Sequence, residues 1–204
     1  MMKKLSVIVI LVLFSFLSGC ATHKYDSAEV SSEEGASLLP VTINPQTERD
    51  TCGLRVIGAV LRYWGKDFDE EEFYQAYPPP SGGYSLGQLK KLSEKYQLRA
   101  FVLPGSEDFI DQQVAKKRPL IVALEVDSSY VLKAKGSPYI PFMATRLTDA
   151  ILPGFNHYVL VIGSDSESVW LADPIHGIHS ISRNHFSHMW KSLDRATLLV
   201  ANEK

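Results

Sequence analysis

Asp50-Thr51-Cys52-Gly53-Leu54-Arg55-Val56-Ile57-Gly58-Ala59-Val60-Leu61-Arg62-Tyr63-Trp64-Gly65 is the stretch on which the fold turns. Leu54, Ile57, Leu61 and Trp64 recur at three- and four-residue spacing, which predicts a helix, and Gly65 stops the run. Asp50 or Thr51 suits the N-cap, so Cys52 falls in the first turn. There the exposed N–H groups and the positive end of the macrodipole favour a thiolate. Gln46, six positions upstream, carries an amide able to reach the same place as a donor, which is the geometry of an oxyanion hole. The plainer reading of Cys52 is a small buried hydrophobe, since free cysteines are among the most buried residues.

A thiolate nucleophile needs a proton-transfer partner and a third group that orients it. Of the six histidines, His23 lies near the N-terminus, and His176, His179, His185 and His188 sit in a polar stretch suited to solvated side chains. Their spacing offers no Cys or carboxylate ligand set on one element, so no metal and no cofactor is expected. His157 differs, because it opens Tyr158-Val159-Leu160-Val161-Ile162-Gly163, an apolar run that reads as a buried central strand. After the turn at Ser164 to Ser168, Val169-Trp170-Leu171-Ala172 reads as the antiparallel return strand, ending at Asp173-Pro174. That pairing brings Asp173 back beside His157, where a carboxylate can hold the imidazole and fix its tautomer. Taken singly, His157 is equally a hydrogen-bonded structural histidine, and Asp173-Pro174 a turn starter.

The remainder reads as alternating elements: a short helix near 69–77, a helix at 85–96 opened by a Ser85 to Gln88 capping box, a strand at 99–103, a helix at 107–117 and a strand at 119–126. Strands at 157–164, 168–172 and 178–182, a helix at 183–190 and a strand at 196–201 follow. Helices first and strands later predict an α+β fold with an antiparallel sheet, the Cys52 helix packed on it. Asp69-Glu70-Glu71-Glu72 reads as the acidic first turn of a helix.

The chain of 204 residues, with 45% apolar and 22% charged side chains, has the composition of one folded domain. A net charge of −2 gives no reason to expect nucleic acid. Lys3 and Lys4 followed by an apolar run to Leu17 read as a secretory signal too short to span a bilayer. It ends Leu17-Ser18-Gly19-Cys20, which resembles the lipobox of bacterial lipoproteins, so residues 1–19 are expected to be removed and Cys20 to carry lipid. Ala21 rather than Asp at the next position, again by resemblance, points to the periplasmic face of the outer membrane. Residues 20–39, rich in Ser, Glu and Ala, read as a flexible tether, with the folded domain at 40–204. With Cys20 acylated, Cys52 is left without a partner in an oxidising compartment.

Gln46, then Cys52-Gly53 at the head of an amphipathic helix, with Asn156-His157-Tyr158-Val159 and Asp173-Pro174 through Gly177 downstream, resembles the double-glycine, or bacteriocin-leader-processing, peptidase family of papain-like cysteine peptidases. The likeness extends over roughly residues 43–200, with Arg118 to Leu124 in the place of the family's central strand and Phe186 to Trp190 in that of its closing helix. It implies a papain-like fold with Cys52 as nucleophile, His157 as general base and acid, Asp173 as orienter and Gln46 as oxyanion donor. Leu54 and Arg55 depart from the small residues usual after the family's Cys-Gly, and the connection from Asp127 to Asn156, with several aromatic residues, reads as a lid over the cleft or a surface loop. The leader-clipping role of transporter-fused members does not carry over to a chain expected outside the cytoplasm. The function expected is a lipid-anchored extracytoplasmic cysteine peptidase acting on a peptide or protein. The alternatives are a catalytically silent peptide-binding scaffold of a secretion or envelope complex, and an acyl or peptidyl transferase using the same thiol.

Overall fold

A computed structural model describes residues 24–127, 130 and 155–202. In chain order the elements are β1 (Tyr25–Asp26), α1 (Ser27–Glu34), β2 (Thr42–Ile43), α2 (Cys52–Tyr63), α3 (Glu70–Ala76), α4 (Leu86–Lys95), β3 (Arg99–Pro104) and α5 (Glu107–Ala115). They continue with β4 (Leu120–Val126), β5 (Phe155–Ser164), β6 (Ser168–Asp173), β7 (Gly177–Ser182), α6 (Arg183–Lys191) and β8 (Ala196–Ala201). Six strands form one antiparallel sheet in the order β3-β8-β4-β5-β6-β7.

The sheet is covered on both faces, which is why its central strands read as unbroken apolar runs. Leu54, Ile57 and Leu61 of α2 with Leu89 of α4 pack against Ile121, Leu160 and Leu198 on one face. On the other, Ile110 of α5 with Phe186 and Trp190 of α6 packs against Leu120, Val159 and Leu171. Nine residues of α2 are buried, so it is a central helix rather than a surface one. It ends as the sequence suggests: Gly65 takes the left-handed conformation at φ 70°, and the Lys66 and Gly65 N–H groups donate to Leu61 and Arg62 carbonyls at 2.9 and 2.8 Å, a Schellman closure.

The departures at Leu54 and Arg55 have distinct explanations. Leu54 is fully buried in the core. Arg55 and Arg62, two turns apart on the otherwise apolar α2, both pair with Glu70, at 2.7 and 2.5 Å. Glu70 is 4% exposed, so the acidic run at the head of α3 is only partly the solvated turn the sequence suggests. Asp69 caps that helix, accepting from the Glu71 and Glu72 N–H groups at 2.9 Å each.

Part of the segment expected to be a tether carries structure, because among the described residues elements are present from Tyr25. Tyr25 and Asp26 pair with Ile43 and Thr42. Buried Ser27 donates its hydroxyl to the Leu39 carbonyl and accepts from the Val41 N–H, both at 2.7 Å, and the Leu39 N–H donates to Ile162 of the main sheet at 2.8 Å. These bonds order a segment whose sequence carries little apolar periodicity. The signal segment and Cys20 lie outside the described residues, as does the connection after Asp127 read as a lid, Tyr130 excepted.

Candidate active site

Cys52 is the first residue of α2 and is 8% exposed. Neither expected cap closes that turn. Asp50 takes φ 63°, and Thr51 donates its hydroxyl to the Glu48 carbonyl at 2.9 Å instead of accepting from the helix. The first N–H groups of α2 are therefore left without a side-chain cap. Gln46 is 3% exposed and also donates its amide Nε2 to the Glu48 carbonyl, at 2.9 Å. The shared carbonyl places the Gln46 amide at the start of α2, with one Nε2 hydrogen still uncommitted by that bond. The Gln46 backbone N–H donates to the Pro174 carbonyl at 2.7 Å, tying this loop to the turn that follows Asp173.

His157 lies on β5 opposite Leu124 of β4 and is 1% exposed. The β5–β6 register sets Leu160 against Ala172. That register, continued by one residue, sets Asp173 against Val159 and makes His157 its diagonal neighbour. The contact follows: His157 Nε2 lies 2.8 Å from Asp173 Oδ1, and both side chains are buried. An ionised carboxylate only accepts, so Nε2 carries a proton toward Asp173, and Nδ1 is the ring nitrogen left to interact with Cys52. Burial opposes the charged imidazole, but Asp173 and then Cys52 outweigh it and raise the pKa from 6.5 to about 10.

Burial likewise opposes a charged Asp173, yet His157 holds it well below the ordinary carboxylate range. Its Oδ1 also accepts from the Ile175 and His176 N–H groups at 2.6 and 3.3 Å, and its Oδ2 accepts from the Tyr130 hydroxyl at 2.6 Å. Tyr130 is a site neighbour the sequence does not single out, one aromatic among several in a long connection. His176 is half-buried rather than solvated, its ring edge-on to Tyr130 at 4.4 Å, and burial pushes its pKa down. Tyr158, next to His157, packs its ring over Gly53, where a Cβ would stand 3.3 Å from Tyr158 Cδ2. Burial and then the Cys52 charge push the Tyr158 pKa up to about 12.

The His157–Asp173 pair sets a pH window for stability. The raised His157 value contributes fully below about pH 6.5 and is lost as pH rises through about 10; the lowered Asp173 value contributes above its ordinary 3.8 and is lost as pH falls below it. Thermal melts are expected to be highest between about pH 4 and 6.5 and to decline toward pH 10, and His157→Ala is expected to flatten the alkaline decline.

Helices packed on an antiparallel sheet, with a cysteine at a helix start facing a strand-borne histidine, define the papain-like class of cysteine peptidase folds. The chain belongs to the Peptidase C39 like family, whose model matches residues 38–198. A comparison with curated proteins finds no match. Among solved structures, a C39-like peptidase from Bacillus anthracis is similar at 16% identity and a TM-score of 0.59, over 89% of this chain and 99% of that one. The peptidase domain of Streptococcus ComA, a bifunctional ABC transporter involved in quorum sensing, is similar at 14% identity and a TM-score of 0.57, over 79% and 98%. A double-glycine motif protease from an AMS/PCAT transporter, in complex with the leader peptide, is similar at 17% identity and a TM-score of 0.53, over 89% and 99%.

Proposed function

We propose that the protein is a lipid-anchored extracytoplasmic cysteine peptidase in which Cys52 is the nucleophile, His157 the acid and base, Asp173 the orienter and Gln46 an oxyanion donor. The observation that carries this reading is the buried imidazole with Nε2 at 2.8 Å from the Asp173 carboxylate, its charged form favoured by Asp173 and then by Cys52. Sγ attacks the substrate carbonyl carbon, and the oxyanion meets the Cys52 N–H and the Gln46 amide at the uncapped head of α2. His157 gives its Nδ1 proton to the departing amine, leaving a thioester on Cys52. The same nitrogen then takes a proton from water, whose oxygen attacks the thioester and releases the acid and the thiolate, restoring the thiolate–imidazolium pair.

A cavity of about 250 Å³ between α2, α3 and α4 supports a peptide substrate. Leu54 and Leu89 line it, and Leu89 Cδ1 lies 3.6 Å from a Cβ built at Gly53, the residue that follows Cys52. Phe73, Tyr77 and Tyr84 with Lys91 and Lys95 form its walls, which suits an apolar or aromatic side chain flanked by acidic residues. The leader peptide held by the AMS/PCAT protease supports a peptide ligand at this fold.

The lipid anchor rests on Leu17-Ser18-Gly19-Cys20. Four residues separate Cys20 from the first described strand, which starts at Tyr25, and at about 3.5 Å per residue that strand would lie within roughly 20 Å of the bilayer. Incubation of membrane-extracted protein with peptides bearing apolar and acidic residues, read by mass spectrometry, is expected to yield two hydrolytic fragments, and its N-terminal peptide a diacylated Cys20. Tight peptide binding without fragments would instead establish the silent scaffold, and fragments joined to an added amine the transferase.

A further inference from the structure

Three donors converge on one oxygen of Asp173: His157 Nε2 and the backbone N–H groups of Ile175 and His176. They hold one oxygen only, and the torsion that sets the other has no sharp staggered minima. The second oxygen is met from another direction, by the Tyr130 hydroxyl at 2.6 Å, a short charge-assisted bond. The Tyr130 ring lies between His157 and His176, at 6.2 and 4.4 Å. Its backbone N–H donates to the Asp127 carbonyl and to Asp127 Oδ1, at 3.1 and 3.0 Å, one residue beyond the end of β4. The phenol is thus hung from the strand next to the one carrying His157.

We propose that Tyr130 is a positioning residue of the site, its phenol holding the second oxygen of Asp173 so that the first is presented in plane to His157. The role rests on the peptidase reading above and extends it to a residue in the long connection after β4. Burial, and then the Asp173 charge, keep the phenol neutral and therefore a donor. The titratable groups that face this carboxylate and its histidine are His157 from β5, Cys52 from α2, His176 from the β6–β7 turn and His179 from β7. With thiolate, imidazolium and carboxylate formed, the Cys52, His157 and Asp173 cluster carries net negative charge. Loss of a donor to it makes protonation easier at whichever member takes the proton.

The test is the rate of Cys52 alkylation by iodoacetamide against pH in the full chain, which needs no substrate. Tyr130→Phe is expected to slow alkylation about tenfold at neutral pH and to move the acid limb up by about half to one pH unit. A ring-fluorinated tyrosine at position 130, a stronger donor of nearly the same shape, is expected to move that limb down. Melting temperatures of both proteins separate these effects from misfolding. Profiles that superimpose on wild type, or a uniform slowing with no shift in either variant, would overturn the role of Tyr130 while leaving the peptidase reading intact. Wild-type Cys52 that alkylates no faster than a simple thiol at any pH would remove the peptidase reading, and this role with it.

Discussion

Cys52→Ala is expected to abolish turnover, by about 10⁴-fold or more, while the protein stays folded. The magnitude follows from what is removed: without sulfur there is no thioester, and the oxyanion donors at the head of α2 act on water alone. The cost in stability is small, about 1 kcal/mol, because Cys52 is a small side chain at the helix start and Ala is a good helix former. A second consequence is visible by NMR. Cys52 is one of the groups that raise the His157 pKa to about 10, so the imidazole of the variant should titrate at a lower pH. A variant that keeps more than a hundredth of wild-type turnover would show that the sulfur is not the nucleophile.

Asp173→Ala should damage both stability and activity. The substitution leaves a buried imidazole, the Tyr130 hydroxyl and the Ile175 and His176 N–H groups without their acceptor. Breaking a buried charged pair by removing one partner costs roughly 3–5 kcal/mol, which for a domain of this size lowers the melting temperature by about 10 °C. Turnover should fall by about a hundredfold or more, because burial is then opposed by Cys52 alone and the imidazolium is disfavoured at neutral pH. Asp173→Asn separates the two roles. It restores an acceptor and much of the melting temperature, but not the charge, so the His157 midpoint should remain well below 10. A midpoint still near 10 in the Asn variant would contradict the electrostatic role assigned to Asp173.

The elements were legible because their local signals agree with one another. Ser85 and Gln88 form the expected capping box, with the Ser85 N–H donating to Gln88 Oε1 at 2.8 Å, and α4 starts one residue later. The approach of Asp173 to His157 was legible for a similar reason: a short turn joins two strands of clear pattern, and pairing fixes the rest. The meeting of Cys52 with His157 was less so, since over a hundred residues separate them, and their pairing rested on the chemical need of a thiolate for a proton-transfer partner and on the family resemblance.

Other features escaped for identifiable physical reasons. Residues 25–39 are ordered by two hydroxyl-mediated bonds of Ser27 and a two-residue strand, neither of which leaves a hydrophobic period. Glu70 hides in an acidic run whose neighbours Glu71 and Glu72 are exposed; its partners, Arg55 and Arg62, carried the signal as two charges one heptad apart on a buried helix. Thr51 has the side chain of a good cap but spends it on Glu48, which leaves the helix start open where the oxyanion is proposed to bind.

The central claim is that Cys52 and His157 act as one reactive unit. The most direct measurement is labelling by a thiol-reactive peptidyl inhibitor, with mass mapping of the adduct in wild type and in His157→Ala. Stoichiometric modification at Cys52, far faster than that of a free thiol and slowed at least a hundredfold in His157→Ala, is the result expected. Equal labelling rates in the two proteins, or an adduct anywhere but Cys52, would contradict it.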